Sequence, residues 1–320
     1  MSVLDLARSA PGRAIAALCG LAAVAFILHR LGLSTVGHAI ASCAAYFPLV
    51  LVFELGILTC STFSLRALYG DAAYAVPPSQ FIRAALIGYA VQGLVPAGRA
   101  AAEAARASLL ARFVGVGRAG AAAARMQAVL LVANGLIAVI CTFATLYVMG
   151  ATWLPLAVAF NAVLTLGLGS ALFLIARHAR IGAWLGRRFK RARAFGEEVD
   201  AVLERDTTIP VRAIAWEFTG RTIQVVQHGI LIYCVAGVFG LLPSLTAEGI
   251  HLVGAMVGDL IPAQLGAIEG NFTLASQSLG LSAAGAVSIA LIVHLAQLAW
   301  VVVGSLVPLV WTAASRKAST

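Results

Sequence analysis

Long stretches almost free of charge decide what this chain can be. Residues 152–175 and 283–311 contain no Asp, Glu, Lys or Arg, while 39–65 and 119–149 contain one each, Glu54 and Arg125. A helix needs about 20 apolar residues to cross the hydrocarbon of a bilayer. These runs meet that length, and 14–28 and 214–241 join them as shorter or more polar candidates. The expectation is an all-helical integral membrane protein with six spans. Composition agrees: 61% of the 320 residues are hydrophobic and only 11% are charged, against about a quarter in soluble domains. The net charge of +9 needs no nucleic acid, because the arginines flank apolar runs where cytoplasmic loops collect them.

Two segments break the pattern with related phrases. Residues 96–103 read P-A-G-R-A-A-A-E and residues 262–269 read P-A-Q-L-G-A-I-E. Pro96 and Pro262, Ala97 and Ala263, Ala101 and Ala267, and Glu103 and Glu269 occupy matching places. Each phrase follows an apolar run too short to span comfortably, about 82–95 and 244–261. Broken helix and buried charge survive in lipid only against protein or a watery cavity. Paired interruptions in two halves of a membrane protein point to a transport site. Chance in an alanine-rich chain is the competing explanation.

The basic stretch from Arg177 to Arg193 marks a cytoplasmic loop, and its spacing also fits a helix lying on an anionic leaflet. With that loop and both termini inside, each half reads span, span, hairpin, span. The halves, 1–150 and 151–320, are then inverted copies with re-entrant hairpins at about 82–112 and 245–279. A plain eight-span bundle is the alternative. The apolar run 14–28 reads as an uncleaved helix, and the bacterial inner membrane is the expected location.

Candidate site residues follow from charge in these places. A helix N-terminus at mid-membrane offers free N–H groups and a positive dipole end to an anion. Return helices beginning near Gly98 and Arg99, and near Gly266, would aim two such ends at one point. Arg99, Glu103 and Arg106 share a helical face, as a headgroup seat or as an interfacial anchor. Glu217, Arg221, Gln224 and His228 step by four, three and four, which draws one polar stripe along a helix. That stripe must face a pathway or a neighbouring helix, with Arg221 paired to Glu269 or Glu54. A carboxylate at mid-membrane costs about 3 kcal/mol, so Glu54 is read as gating or as bonded to a neighbour. Gln224, His228 and Asp259 are further candidates for gating or charge coupling. His251, Asp259 and His294 match no metal-ligand spacing, and no nucleotide or hydrolase fingerprint occurs. No cofactor, no metal and no enzymatic activity are expected.

At the two phrases the chain resembles the lysylphosphatidylglycerol synthase transmembrane region, also called the flippase-like domain family. The early pattern is Pro96, Gly98, Arg99, Glu103 and Arg106, leading into Leu109-Leu110-Ala111-Arg112. The late one is Pro262, Gly266 and Glu269. Ala102 stands where a Gly usually precedes the first Glu, and Val132-Ala133-Asn134 stands where the next span often has a Glu-Arg pair. A soluble aminoacyltransferase domain is lacking, so synthesis of lysyl-lipid is not expected. The resemblance implies movement of a lipid with a polar or anionic headgroup between leaflets, with lipid-biosynthesis enzymes as partners. A membrane enzyme, an accessory subunit, or a small-solute transporter of inverted-repeat type are the alternatives.

Overall fold

A computed structural model describes residues 33–95, 98–178, 193–205, 208–259, 261 and 264–317, with positions 25 and 29 in isolation. Among these residues every regular element is helical. The α-helices are α1 (Leu33–Cys43), α2 (Phe47–Leu68), α3 (Pro78–Leu94), α4 (Gly98–Val114), α5 (Val116–Met149), α6 (Trp153–His178), α7 (Arg193–Arg205), α8 (Val211–Ala236), α9 (Leu241–Gly258), α10 (Ala267–Leu274) and α11 (Ala283–Lys317). The expected first span at 14–28, Pro96, Pro262 and most of the basic stretch lie outside the described residues.

Among the described residues, five helices are long and apolar enough to cross a membrane: Val36–Leu68, Val116–Met149, Trp153–Ile175, Leu241–Gly258 and Ala283–Pro308. Four coincide with expected spans. The fifth, α9, differs from expectation. The expectation for it is the short arm of a second hairpin, yet at 18 residues it rises about 27 Å. Conversely α8, expected to span, is not among the five, because Arg221, Gln224, Gln227 and His228 lower the hydropathy of even its most apolar stretch. Its 26 residues nevertheless rise about 39 Å. Buried polar groups on α8 are what depart from the apolar signature, not its length.

Proline and glycine set the boundaries. Pro48 sits in the first turn of α2 and Pro78 opens α3, where a missing N–H costs nothing. Helix α3 ends at Val95, which is extended, and α4 turns back against it. Gly98 makes this return possible. A Cβ there would lie 2.1 Å from the Gln92 carbonyl oxygen, so only glycine fits.

Two apolar clusters organise the interior. Val50, Leu154, Leu231, Ile250, Phe272 and Ile289 unite α2, α6, α8, α9, α10 and α11. Leu65, Tyr69, Phe81, Leu110 and Met126 join α2, α3, α4 and α5 at one end. The outward face is apolar as well. Phe143, Leu156, Phe160 and Val163 are 60–73% exposed, which suits hydrocarbon and would be an aggregation hazard in water.

Candidate functional site

The polar interior concentrates where α2, α3 and α4 face α8, α9 and α11. A cavity of about 450 Å³ lies between them. Helix α2 supplies Glu54, α3 supplies Tyr89 and Gln92, and α4 supplies Gly98 and Arg99. Across from these stand Arg221 and Gln224 of α8, His251 of α9, and Asp259 in the turn after α9. His294 and Gln297 of α11 and Gln127 of α5 complete the polar wall, while Leu130, Leu131, Leu298 and Val301 make the rest aliphatic.

The turns are held by side chains. Arg99 Nη2 lies 3.5 Å from Asp259 Oδ1, which ties the start of the first return helix to the second turn. Gln264 Nε2 donates to Asp259 Oδ1 at 2.9 Å, and Gln127 Nε2 donates to the Arg99 carbonyl at 3.2 Å. Gly266 has φ +81°, a left-handed turn conformation that favours glycine. Its N–H donates to Glu269 Oε2 at 2.8 Å. The start of α10 is therefore capped by its own carboxylate in the Gly-x-x-Glu spacing of a reciprocal cap. The expected second anion seat on this helix N-terminus is already occupied by Glu269.

Polar groups on α8 are bound in a fixed sense. Arg221 Nη1 donates to Gln224 Oε1 at 2.7 Å, and an arginine can only donate. The Gln224 amide nitrogen then faces His251 Nε2 at 3.1 Å, so that ring nitrogen accepts. Gln227 Nε2 donates to Glu54 Oε1 and Tyr89 Oη to Glu54 Oε2, each at 3.1 Å. Both Glu54 oxygens therefore accept hydrogen bonds. Glu269 Oε1 lies 2.5 Å from His294 Nδ1. The expected pairing of Arg221 with Glu269 or Glu54 is thus not formed: each carboxylate already has neutral or imidazole donors nearer.

Of the candidates read from the sequence, Gly98, Arg99, Glu54, Arg221, Gln224 and Asp259 line the cavity. Glu103, Arg106, Glu217, His228, Gly266 and Glu269 stand behind it. Arg106 Nη1 bonds Glu103 Oε1, with both side chains buried. Gly88 makes room for that arginine, since a Cβ there would meet Arg106 Nε at 2.4 Å. Glu217 is buried with Oε1 unbonded. His228 Nδ1 is 3.0 Å from Glu248 Oε2, both enclosed, although the angle is not that of an aligned hydrogen bond.

Sequence reasoning missed Tyr89, Gln92, Gln127 and Gln297, and weighed His251 and His294 only as metal ligands. Amides within apolar runs were a usable signal for the glutamines. Nothing in the spacing pairs Glu269 with a histidine on the next helix. Among the described residues no group of three or more His, Cys, Asp or Glu could hold a metal ion.

A family model described as the lysylphosphatidylglycerol synthase TM region matches residues 13–304. No curated protein and no solved structure matches the chain.

Proposed function

Because the chain belongs to the family of the lysylphosphatidylglycerol synthase transmembrane region, we propose that this multi-pass membrane protein moves a lipid with an anionic headgroup between leaflets. The observation that carries the reading is the presence of Arg99 and Arg221 in the wall of one cavity whose remaining surface mixes amides with aliphatic side chains. Guanidinium groups present forked donors that match a phosphate. The cavity falls within the range of about 300–1,000 Å³ typical of small-ligand sites, so it holds a headgroup while the chains stay in lipid.

The Arg99–Asp259 contact fits a gate. Its side chains are 26% and 46% exposed, and such pairs contribute about 0–1 kcal/mol. An arriving phosphate can therefore take Arg99 from Asp259 at little cost, and Gln264 keeps the released carboxylate in place. In this reading α3–α4 and α9–α10 are the moving arms of two inverted halves, 1–150 and 151–320. The basic stretch 177–193 and both termini face the cytoplasm of a bacterial inner membrane, where lipid-biosynthesis enzymes would deliver the substrate.

The test is reconstitution into vesicles carrying fluorescent headgroup-labelled phosphatidylglycerol, with leaflet exchange read by quenching from outside. Wild type accelerates exchange over empty vesicles, and R99A with R221A returns it to the empty-vesicle rate. Wild-type exchange equal to that of empty vesicles for every anionic lipid defeats the reading. The Glu269–His294 contact favours a second reading, a lipid-modifying enzyme using an oriented imidazole. Mass analysis of the recovered lipid separates the two, because translocation leaves the lipid chemically unchanged.

A further inference from the structure

Among the described residues three histidines are buried, and their surroundings differ. His251 Nε2 accepts from Gln224, whose orientation Arg221 fixes; a proton on that nitrogen would face an N–H. His228 is wholly enclosed beside Glu248 and does not line the cavity. His294 does line it, is only 4% exposed, and has Nδ1 on Glu269 while Nε2 has no hydrogen-bond partner. A carboxylate behind an imidazole fixes which nitrogen carries the ring proton and steadies the doubly protonated ring.

Charge around the cavity makes that nitrogen consequential. The titratable groups around His294 include the cavity-lining Glu54 of α2, Tyr89 of α3, Arg99 of α4 and Arg221 of α8, with His228 of α8 enclosed outside the lining. His251 of α9, Asp259 after it, and Glu269 of α10 complete them. Helix α1, which also packs on α11, carries the exposed His38 and the buried Cys43. With neutral histidines, the carboxylates of Asp259 and Glu269 already match the guanidinium groups of Arg99 and Arg221. A phosphate entering this wall adds a further negative charge where water is scarce and Coulomb terms are strong.

Resting on the translocation reading, we propose that His294 Nε2, backed by Glu269, is a proton-binding site that loads together with the anionic headgroup, so that lipid and proton cross as one unit. The proton comes from water on the loading side, forms the Nε2–H bond, and makes an imidazolium paired with the Glu269 carboxylate. It leaves to water on the other side when the headgroup is released. No bond of the lipid changes. Glu269 is a positioning residue: it touches neither lipid nor the transferred proton.

The experiment imposes a pH difference across vesicles containing the full chain and labelled phosphatidylglycerol. Wild type empties the leaflet on the acidic side faster, and reversing the gradient reverses the asymmetry; H294Q loses the asymmetry. Exchange that ignores the gradient's direction overturns the coupling while leaving translocation standing. If vesicles show no exchange under any gradient, translocation fails, and binding decides the proton site. Phosphatidylglycerol affinity of detergent-solubilised wild type is then measured between about pH 6 and about pH 8, around the imidazole range. It weakens about tenfold per pH unit above the site's midpoint if one proton is linked to binding, and H294Q is flat. E269Q alters the shape of that pH profile if Glu269 positions the ring, whereas a merely structural loss weakens binding equally at all pH. Wild-type affinity that ignores pH overturns the proposal.

Discussion

Arg99 Nη2 stands 3.5 Å from Asp259 Oδ1, and this contact joins two chain breaks that lie far apart in sequence. Both side chains keep partial exposure, so the pair adds about 0–1 kcal/mol to stability. The single reversal R99D should leave thermal unfolding in detergent nearly unchanged and slow lipid exchange about tenfold or more, because it removes Arg99's own hydrogen bonds to the charged headgroup, worth about 1.5–3 kcal/mol. The double reversal R99D/D259R restores the contact but moves the cation across the seam, so exchange recovers only in part. Full activity in R99D alone would remove Arg99 from the headgroup site.

Gly98 gives a sharper steric test. A Cβ on Gly98 would lie 2.1 Å from the Gln92 carbonyl oxygen, and its absence is what lets α4 begin there. Backbone cannot rotate away as a side chain can, so G98A should cost about 1–3 kcal/mol or more and displace the first hairpin. Thermal unfolding of purified G98A should show a lowered midpoint. By contrast G270A, where a Cβ would meet nothing within 4 Å, should unfold like wild type.

How much of this was legible beforehand depends on whether the signal is local. The bilayer imposes its length on each segment separately, so 119–149, 152–175 and 283–311 were readable and correspond to Val116–Met149, Trp153–His178 and Ala283–Lys317. The α8 stripe was readable because helical periodicity places Glu217, Gln224 and His228 on one buried face. Partners were not readable. His294 meets Glu269 and Gln227 meets Glu54 only because separate helices pack, and no periodicity encodes which helices neighbour one another. The cap on α10 was an overlooked local signal, since Gly266 and Glu269 already carried its spacing.

The Glu103–Arg106 pair separates structural from binding roles. Both side chains are buried away from the cavity, bonded to each other and packed against Gly88. Removing one partner strands a buried charge, so E103A should lose about 3–5 kcal/mol. Replacing both with apolar residues of similar volume, E103L with R106M, should unfold near the wild-type temperature. Lipid exchange in that double variant decides the role: retained exchange makes the pair a structural clasp, and loss with intact folding places it in the transport cycle.

Glu54 offers the most discriminating single-atom change. Its two oxygens accept from Tyr89 Oη and Gln227 Nε2. In E54Q one of those oxygens becomes an NH₂ facing a donor. Tyr89 can turn its hydroxyl and accept, whereas the Gln227 amide would have to flip, and its Oε1 is at present unbonded within the core. That flip has an acceptor to offer, so the stability loss should stay near about 1 kcal/mol. E54A is different. It leaves both the tyrosine and the glutamine without a partner, at about 1–3 kcal/mol for each stranded group. A carboxylate required for its charge predicts that E54Q abolishes exchange while folding normally. A carboxylate required only as an acceptor predicts that E54Q exchanges lipid and E54A does not fold. Circular dichroism melts run beside the vesicle assay distinguish these outcomes.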